Sequence, residues 1–306
     1  MNPDENFPRL LFLVTMNTYL DCFSCFMRQA IEASRMATDD EGVHKRVLNL
    51  VMEEMSTFPL TATPPEMGKV IHKIIREVTG NDDPYRLVKE KSNEKALELY
   101  PLMKQLVASS DNPLLASCRL AIAGNSIDFA VPSESFRDYQ SLIEGALTSP
   151  FRVDHYDEFA ACLSRASSLL YLGDNAGEVV FDKAFIEEMG NFRDIDVTFV
   201  ARGSPIINDA TYEDARYVGM EEVATVISNG SDCPGTVLKN CSKRVQELFQ
   251  STDIIIAKGQ GNYESIHSDR TNLFYLFKVK CTVVASQLNL HVNDLVFMDR
   301  TGRGSQ

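Results

Sequence analysis

From about residue 7 to residue 165, apolar residues recur at spacings of three and four, which gathers them on one face of a helix. Phe23 to Ala37 carries Phe23, Phe26, Met27, Ala30 and Ile31 in that register. Val43 to Met55, Pro65 to Val78 and Tyr85 to Val107 repeat it. Pro65 suits a helix start, and Gly80-Asn81-Asp82-Asp83-Pro84 a stop and a turn. Asn112 to Ala121 predicts a helix of small residues, and Ser133 to Phe136 opens another toward Leu147. No convincing run of alternating strands interrupts this half, so residues 1–165 read as a helical cap or bundle.

The texture changes near Ser167, where short apolar runs begin to alternate with amphipathic helices, as in βαβ units. Strands are expected at Leu169 to Leu172, Val197 to Ala201, Ala224 to Ser228, Asp253 to Ala257 and Thr282 to Ala285. Helices are expected at Val179 to Met189, Tyr212 to Val218 and Val237 to Phe249. Residues 166–306 therefore read as an α/β unit with a mainly parallel sheet, behind an N-terminal helical domain. Successive strands run into polar, glycine-bearing loops, and in open parallel sheets such loops converge on one ligand crevice.

Composition narrows the function. With 306 residues, the chain has a formal net charge of −13, from 30 Lys and Arg against 43 Asp and Glu. That disfavours nucleic acid as a partner, because polyanion binding draws on a basic footprint. Seven scattered Cys suggest a reducing compartment. The amino end lacks the basic flank of a signal peptide, and its apolar run is too short to span a bilayer. A cytoplasmic protein without membrane attachment is the expectation; the oligomeric state is left open.

The candidate chemistry centres on Gly173-Asp174-Asn175-Ala176-Gly177-Glu178, directly after the first strand. Asp174, Asn175 and Asp209 offer two carboxylates and an amide oxygen, the donor type that hard cations such as Mg²⁺ prefer while keeping several waters. Lys258 ends the Ile254-Ile255-Ile256-Ala257 run and emerges at the same edge, where it could hold a phosphate beside a glycine-rich turn. Glu178 in a first helical turn suits either the site or the helix dipole. The five His show no paired zinc-hydrolase spacing. Cys22 and Cys25 have metal-knuckle spacing without a second pair. Burial beside Phe23 and Phe26 is expected for them, with a site shared with Cys118 or Cys233 as the alternative. Lys89-Glu90-Lys91 reads as a solvated helix face.

Three blocks, Gly173 to Glu178, Pro205-Ile206-Ile207-Asn208-Asp209-Ala210-Thr211, and Lys258-Gly259-Gln260-Gly261-Asn262-Tyr263-Glu264, jointly resemble the signature of the metal-dependent damage-control phosphatases (domain of unknown function 89). Asp83-Pro84-Tyr85 with Lys89, and Gly124-Asn125-Ser126-Ile127-Asp128-Phe129, resemble blocks of that family's helical part. Cys22-Phe23-Ser24-Cys25 resembles its prokaryotic-type, cysteine-bearing branch. The resemblance implies a Rossmann-like α/β fold, a mainly parallel sheet in an α/β/α sandwich with an N-terminal helical domain, and hydrolysis of small phosphorylated metabolites, such as sugar phosphates or damaged side products. It also implies a divalent cation (Mg, Mn, Co or Ni) on Asp174, Asn175 and Asp209. In that reading Asp174, Asp209 and Lys258 are catalytic. Backbone groups around Gly203-Ser204 and Gly259, with Asn262 and Lys258, bind the phosphate, and Asn125 and Asp128 reach in from the helical half. As a polar loop, Asn125 and Asp128 would equally cap their neighbours. Whether water or the Asp174 carboxylate attacks is left open.

Rival readings remain. An S-adenosylmethionine-dependent methyltransferase would tolerate Gly173 to Gly177, and a non-catalytic metabolite-binding protein would keep the loops without a metal. A dinucleotide oxidoreductase is disfavoured because no G-x-G-x-x-G follows the first strand. Asp194-Ile195-Asp196-Val197-Thr198 spells the haloacid-dehalogenase DxDxT, but both acids precede their strand, opposite the expected site.

Overall fold

The computed structural model describes residues 16–124, 136–266 and 268–300. In chain order it forms α1 (Cys22–Ala37), α2 (Glu41–Thr57), α3 (Pro64–Thr79), α4 (Arg86–Ala108), α5 (Pro113–Gly124) and α6 (Phe136–Thr148). Then follow β1 (Val153–Asp154), α7 (Tyr156–Leu163), β2 (Ser168–Leu172), α8 (Glu178–Phe192), β3 (Asp196–Ala201), α9 (Tyr212–Tyr217), β4 (Thr225–Ser228) and α10 (Lys243–Ser251). The chain closes with β5 (Ile254–Lys258), α11 (Gly259–Ser265), β6 (Leu273–Lys278), α12 (Thr282–Leu288) and β7 (Leu295–Asp299).

The strands form one sheet in the order β1-β7-β6-β5-β2-β3-β4. Strands β2 to β6 are mutually parallel, while β7 runs antiparallel to β6 and β1 parallel to β7. From β2 the chain steps outward through β3 and β4, then returns to lay β5 on the other side of β2. This reversal opens a crevice at the carboxyl ends of β2 and β5, the switch point at which open α/β sheets bind ligands.

Period-two alternation assigns each strand residue to one of two faces. Leu169, Tyr171, Val197, Phe199, Ile254, Ile256, Phe274 and Phe297 face a core shared with α4 to α8. Leu170, Leu172, Val200, Ile255, Ala257, Tyr275 and Phe277 face the opposite layer, which holds α10 and α12. Helices α1 to α3 enclose a core of their own, with Phe26, Ala30, Val47, Val51, Met67, Ile71 and Ile75 at its centre. The helical half thus has two parts, one continuous with the sheet and one set over its edge.

Local signals explain several boundaries. Asp40 caps α2 by accepting from the Gly42 and Val43 N–H groups. Thr63 and Glu66 form a reciprocal capping box on α3, which ends at Gly80 with φ of 69°. Lys89 is not on a solvated face. Its ammonium is buried between Asp83 at 2.8 Å and Asp214 at 3.4 Å, tying α4 to α9.

Two expectations near the carboxyl end are corrected. Thr282 to Ala285 is helix α12, not a strand: Cys281 Sγ caps it by accepting from the Val284 N–H, and Val284 and Ala285 form its buried side. The sheet position is taken by β6, and β7 and the two-residue β1 extend that edge. The stretch after Lys258 is not a loop either but helix α11, entered through Gly259 at φ of 78°. Asp196 is the first residue of β3 with Asp194 before it, at the sheet end opposite the crevice.

Candidate active site

Backbone pairing brings the signature acids together. Beyond β2, Ala176 N–H donates to Asn208 O (2.9 Å) and Ala210 N–H to Asp174 O (2.7 Å), forming an isolated antiparallel bridge between Asn175 and Asp209. Beyond β3, Arg202 N–H reaches back to Ala210 O (2.9 Å). Two consecutive strand ends are thereby stitched into one rim. The turn between them places Ile207 at φ of 47°, an uncommon conformation for a β-branched residue.

Asp174, Asn175 and Asp209 all line a cleft of about 520 Å³ between this rim and the starts of α1 and α3. The Asn175 amide donates to Asp174 Oδ2 (2.9 Å) and Glu178 Oε2 (3.2 Å), which turns its Oδ1 away from both carboxylates. Arg202, only 1% exposed, donates through Nε to Asp209 Oδ2 at 2.6 Å, and its Nη2 stands 3.8 Å from Asp174 Oδ1. Burial, then Glu178 and Asp209, push the Asp174 carboxyl up to about 7, against the pull of Lys280 and Arg202.

Lys258 is placed differently from the sequence expectation. Its side chain is 0% exposed, and its Nζ donates to Ala121 O (2.8 Å), Glu178 Oε1 (2.7 Å) and Asp182 Oδ1 (2.5 Å). All three ammonium hydrogens are used, so this lysine neutralises buried acids instead of facing a phosphate. Burial works against its charge, but Asp182 and Glu178 outweigh it and hold the ammonium above the ordinary lysine range. Burial also pushes Asp182 up to about 7, with Glu178 adding to the shift while Lys258 opposes it. Glu178 itself is buried and joins the two halves of the site, with one oxygen on Lys258 and the other on Asn175.

The other expected phosphate contacts also take structural positions. Gly203 N–H donates to Ser231 O (3.0 Å) and Asn229 Oδ1 (2.8 Å), and a Cβ there would collide with the Gly230-Ser231 backbone. Ser204 is exposed, and neither it nor Gly203 lines the cleft. Asn262 is buried, bonding Gly173 O, Lys258 O and Thr236 Oγ1. Gly259 packs its α-carbon onto the Asp174 carboxylate so closely that a Cβ would overlap it. Asn125 and Asp128 lie outside the described residues.

Three residues with no assigned role in the sequence reading contribute. Arg202 is the first residue after β3, the same edge position that singled out Asp174 after β2. Lys280 lines the cleft and acts electrostatically on both Asp174 and Glu264. Reading Thr282 to Ala285 as the strand had put Lys280 at a strand's entry, the wrong end for the site. Glu264, on α11, lines the cleft as well. Cys22, Cys25 and Cys281 open onto it, with Cys25 exposed instead of buried, and all seven cysteines are free thiols.

Among the described residues no three His, Cys, Asp or Glu side chains are arranged to hold a metal ion. The candidate set is instead two carboxylates and one amide, and the local charge fits it. Asp174, Glu178, Asp182 and Asp209 face Arg202 and Lys258. Four acids thus face two buried cations, and Lys280 at the cleft offsets part of the excess on Asp174. Among the described residues, no helix is long and apolar enough to cross a membrane.

The family description "Damage-control phosphatase ARMT1-like domain" matches residues 18–296. A damage-control phosphatase of Pyrococcus horikoshii is 34% identical over 285 residues, covering 92% of this chain and 98% of that protein. One of Archaeoglobus fulgidus is 30% identical over 286 residues, covering 90% and 96%. The crystal structure of a domain-of-unknown-function-89 protein from Pyrococcus horikoshii superposes with a TM-score of 0.88 at 33% identity, covering 93% of this chain and 99% of that one.

Two stability outcomes are expected. Lys258→Met strands Glu178 and Asp182 and should cost about 3–5 kcal/mol in chemical denaturation; an unshifted midpoint would mean the pair contributes nothing. Gly259→Ala should cost about 1–2 kcal/mol for its left-handed backbone alone. It should also weaken divalent-cation binding by calorimetry, because Asp174 must move; wild-type cation affinity would refute that packing role.

Proposed function

Because the chain belongs to the damage-control phosphatase ARMT1-like family, we propose that it hydrolyses small phosphomonoesters with a divalent cation held by Asp174, Asn175 and Asp209. The observation that carries this reading is the meeting of Asp174, Asn175 and Asp209 in the wall of a cleft sized for a metabolite, where acids outnumber cations. Two carboxylates and an amide suit Mg²⁺ or Mn²⁺, ions that keep open positions for substrate oxygens. The bound ion supplies Lewis-acid polarisation of a phosphoryl oxygen.

The chain's own residues supply the rest. Arg202 fixes one oxygen of Asp209 and leaves the other for the ion. The Asn175 amide is oriented by donating to Asp174 and Glu178, and Glu178 is in turn held by Lys258. Lys280, exposed in the cleft and electrostatically coupled to Asp174, takes the phosphate-neutralising role that the sequence suggested for Lys258. Phosphoryl transfer asks mainly for positioning and charge stabilisation, and this arrangement offers both.

Phosphate release from p-nitrophenyl phosphate and a sugar-phosphate panel, with and without divalent cations, tests the reading. Activity should vanish with chelator and return with metal. Asp209→Asn should lower kcat by about 10²–10³-fold with the fold intact, the scale of losing one preorganised electrostatic group. Lys280→Ala should chiefly raise KM, by about tenfold or more, since a hydrogen bond to a charged group contributes roughly 1.5–3 kcal/mol. Metal-independent turnover, or wild-type kinetics in both variants, would reject the assignment.

A further inference from the structure

Glu264 has no part in the cation site, yet it opens onto the same cleft as Asp174 and Asp209. It sits on α11, the helix that leaves β5 at the crevice, and is half-buried. Among the described residues its side-chain hydrogen-bond partner is Gln260, whose Nε2 donates to Glu264 Oε1 at 2.7 Å. Gln260 is itself fixed, because its Oε1 accepts the Lys280 N–H at 2.8 Å. The carboxyl is thus aimed by a braced amide, and the second oxygen carries no salt bridge among the described residues. The titratable groups facing it are Cys22 from α1, Lys280 and Cys281 from the segment after β6, and Tyr263 on its own helix.

Lys280 acts electrostatically on both Asp174 and Glu264, and all three side chains line the one cleft. A phosphate neutralised by Lys280 would lie in the cleft that Glu264, on α11, helps to line. Burial pushes the Glu264 carboxyl up to about 7, opposed by the Gln260 bond and Lys280, so a protonated carboxyl is present near neutrality. Leaving-group protonation is a requirement of alkyl phosphate hydrolysis that charge neutralisation by Lys280 does not meet.

Resting on the phosphatase reading above, we propose that Glu264 is the general acid of this site and donates its carboxyl proton to the bridging ester oxygen. A P–O bond forms to the oxygen of the attacking water while the P–O bond to the leaving group breaks, its electron pair staying on the alcohol oxygen. The Glu264 proton completes the alcohol. Of the two protons of the water, one remains on the released phosphate and the other returns through solvent to Glu264.

The test compares wild type and Glu264→Gln on p-nitrophenyl phosphate, whose leaving group departs without a proton, and on glycerol phosphate, whose alkoxide does not. Metal is kept saturating, and circular dichroism checks the fold. The variant should lose about 10²–10⁴-fold in kcat on glycerol phosphate and stay within about threefold on p-nitrophenyl phosphate. An equal loss on both substrates, no loss on either, or a rise in KM alone would overturn the assignment. Wild type offers a second check that needs no variant: kcat/KM across aryl and alkyl phosphates should depend weakly on leaving-group acidity, and a steep dependence would overturn it too. If wild type released phosphate from neither ester, the phosphatase reading would fall and take this role with it; the other adverse outcomes remove only the role of Glu264.

Discussion

Asp174, Glu178, Asp182 and Asp209 share one nearly dry volume at the carboxyl ends of β2 and β5, and much of the surrounding structure makes that tolerable. An ionised carboxylate removed from water costs several kcal/mol unless it is paired and hydrogen-bonded. Lys258 sits beneath the cluster on Glu178 and Asp182, Arg202 sits beside it on Asp209, and Tyr171 donates its hydroxyl to Asp182 at 2.7 Å. Burial, with Glu178 adding to it, raises the proton affinity of Asp174 and Asp182 against the pull of the neighbouring cations.

The fold serves this cluster through its topology. The strand order reverses beside β2, so the connections leaving β2 and β5 diverge, and the polar residues emerging there meet across a gap. Helices α1 to α3 roof the gap with a core of their own, and Ile207 of the site turn packs into that core. Asn93 of α4 accepts the Gly177 N–H at 2.7 Å while donating to Asp214 at 2.9 Å. Through that side chain the start of α8, and with it Glu178, is anchored to the helices behind the sheet.

The three blocks of the resemblance meet at one rim of the cleft, but the side chains on it are not all turned the way their sequence positions suggested. Asp174, Asn175 and Asp209 meet because the Asn175–Asp209 bridge follows from adjacent parallel strands ending in step. Lys258 was drawn to the phosphate by its place at a strand end. As the last residue of β5 it points into the sheet's helical side instead, where buried acids capture it. The misreading of Thr282 to Ala285 had a similar effect on Lys280: β-branched residues favour strands only weakly, and a cysteine cap with one buried face decided for helix. Gly203 and Asn262 are polar-loop residues whose hydrogen bonds are spent on holding loops together.

What the amino-acid order determined by itself was the periodicity: helices of period 3.6 ahead of β2, apolar strand runs after it, and a cluster of oxygen donors directly beyond one strand. Those signals are local, set by neighbours within a few residues, and so can be read along the chain. Only the tertiary structure decided which cation faces the cleft and which is buried, because that choice depends on where α5, α8 and the segment after β6 bring their polar atoms. Lys258 and Lys280 carry the same charge only 22 positions apart. Their roles separate because buried Glu178 and Asp182 surround the first, whereas the second opens to the cleft.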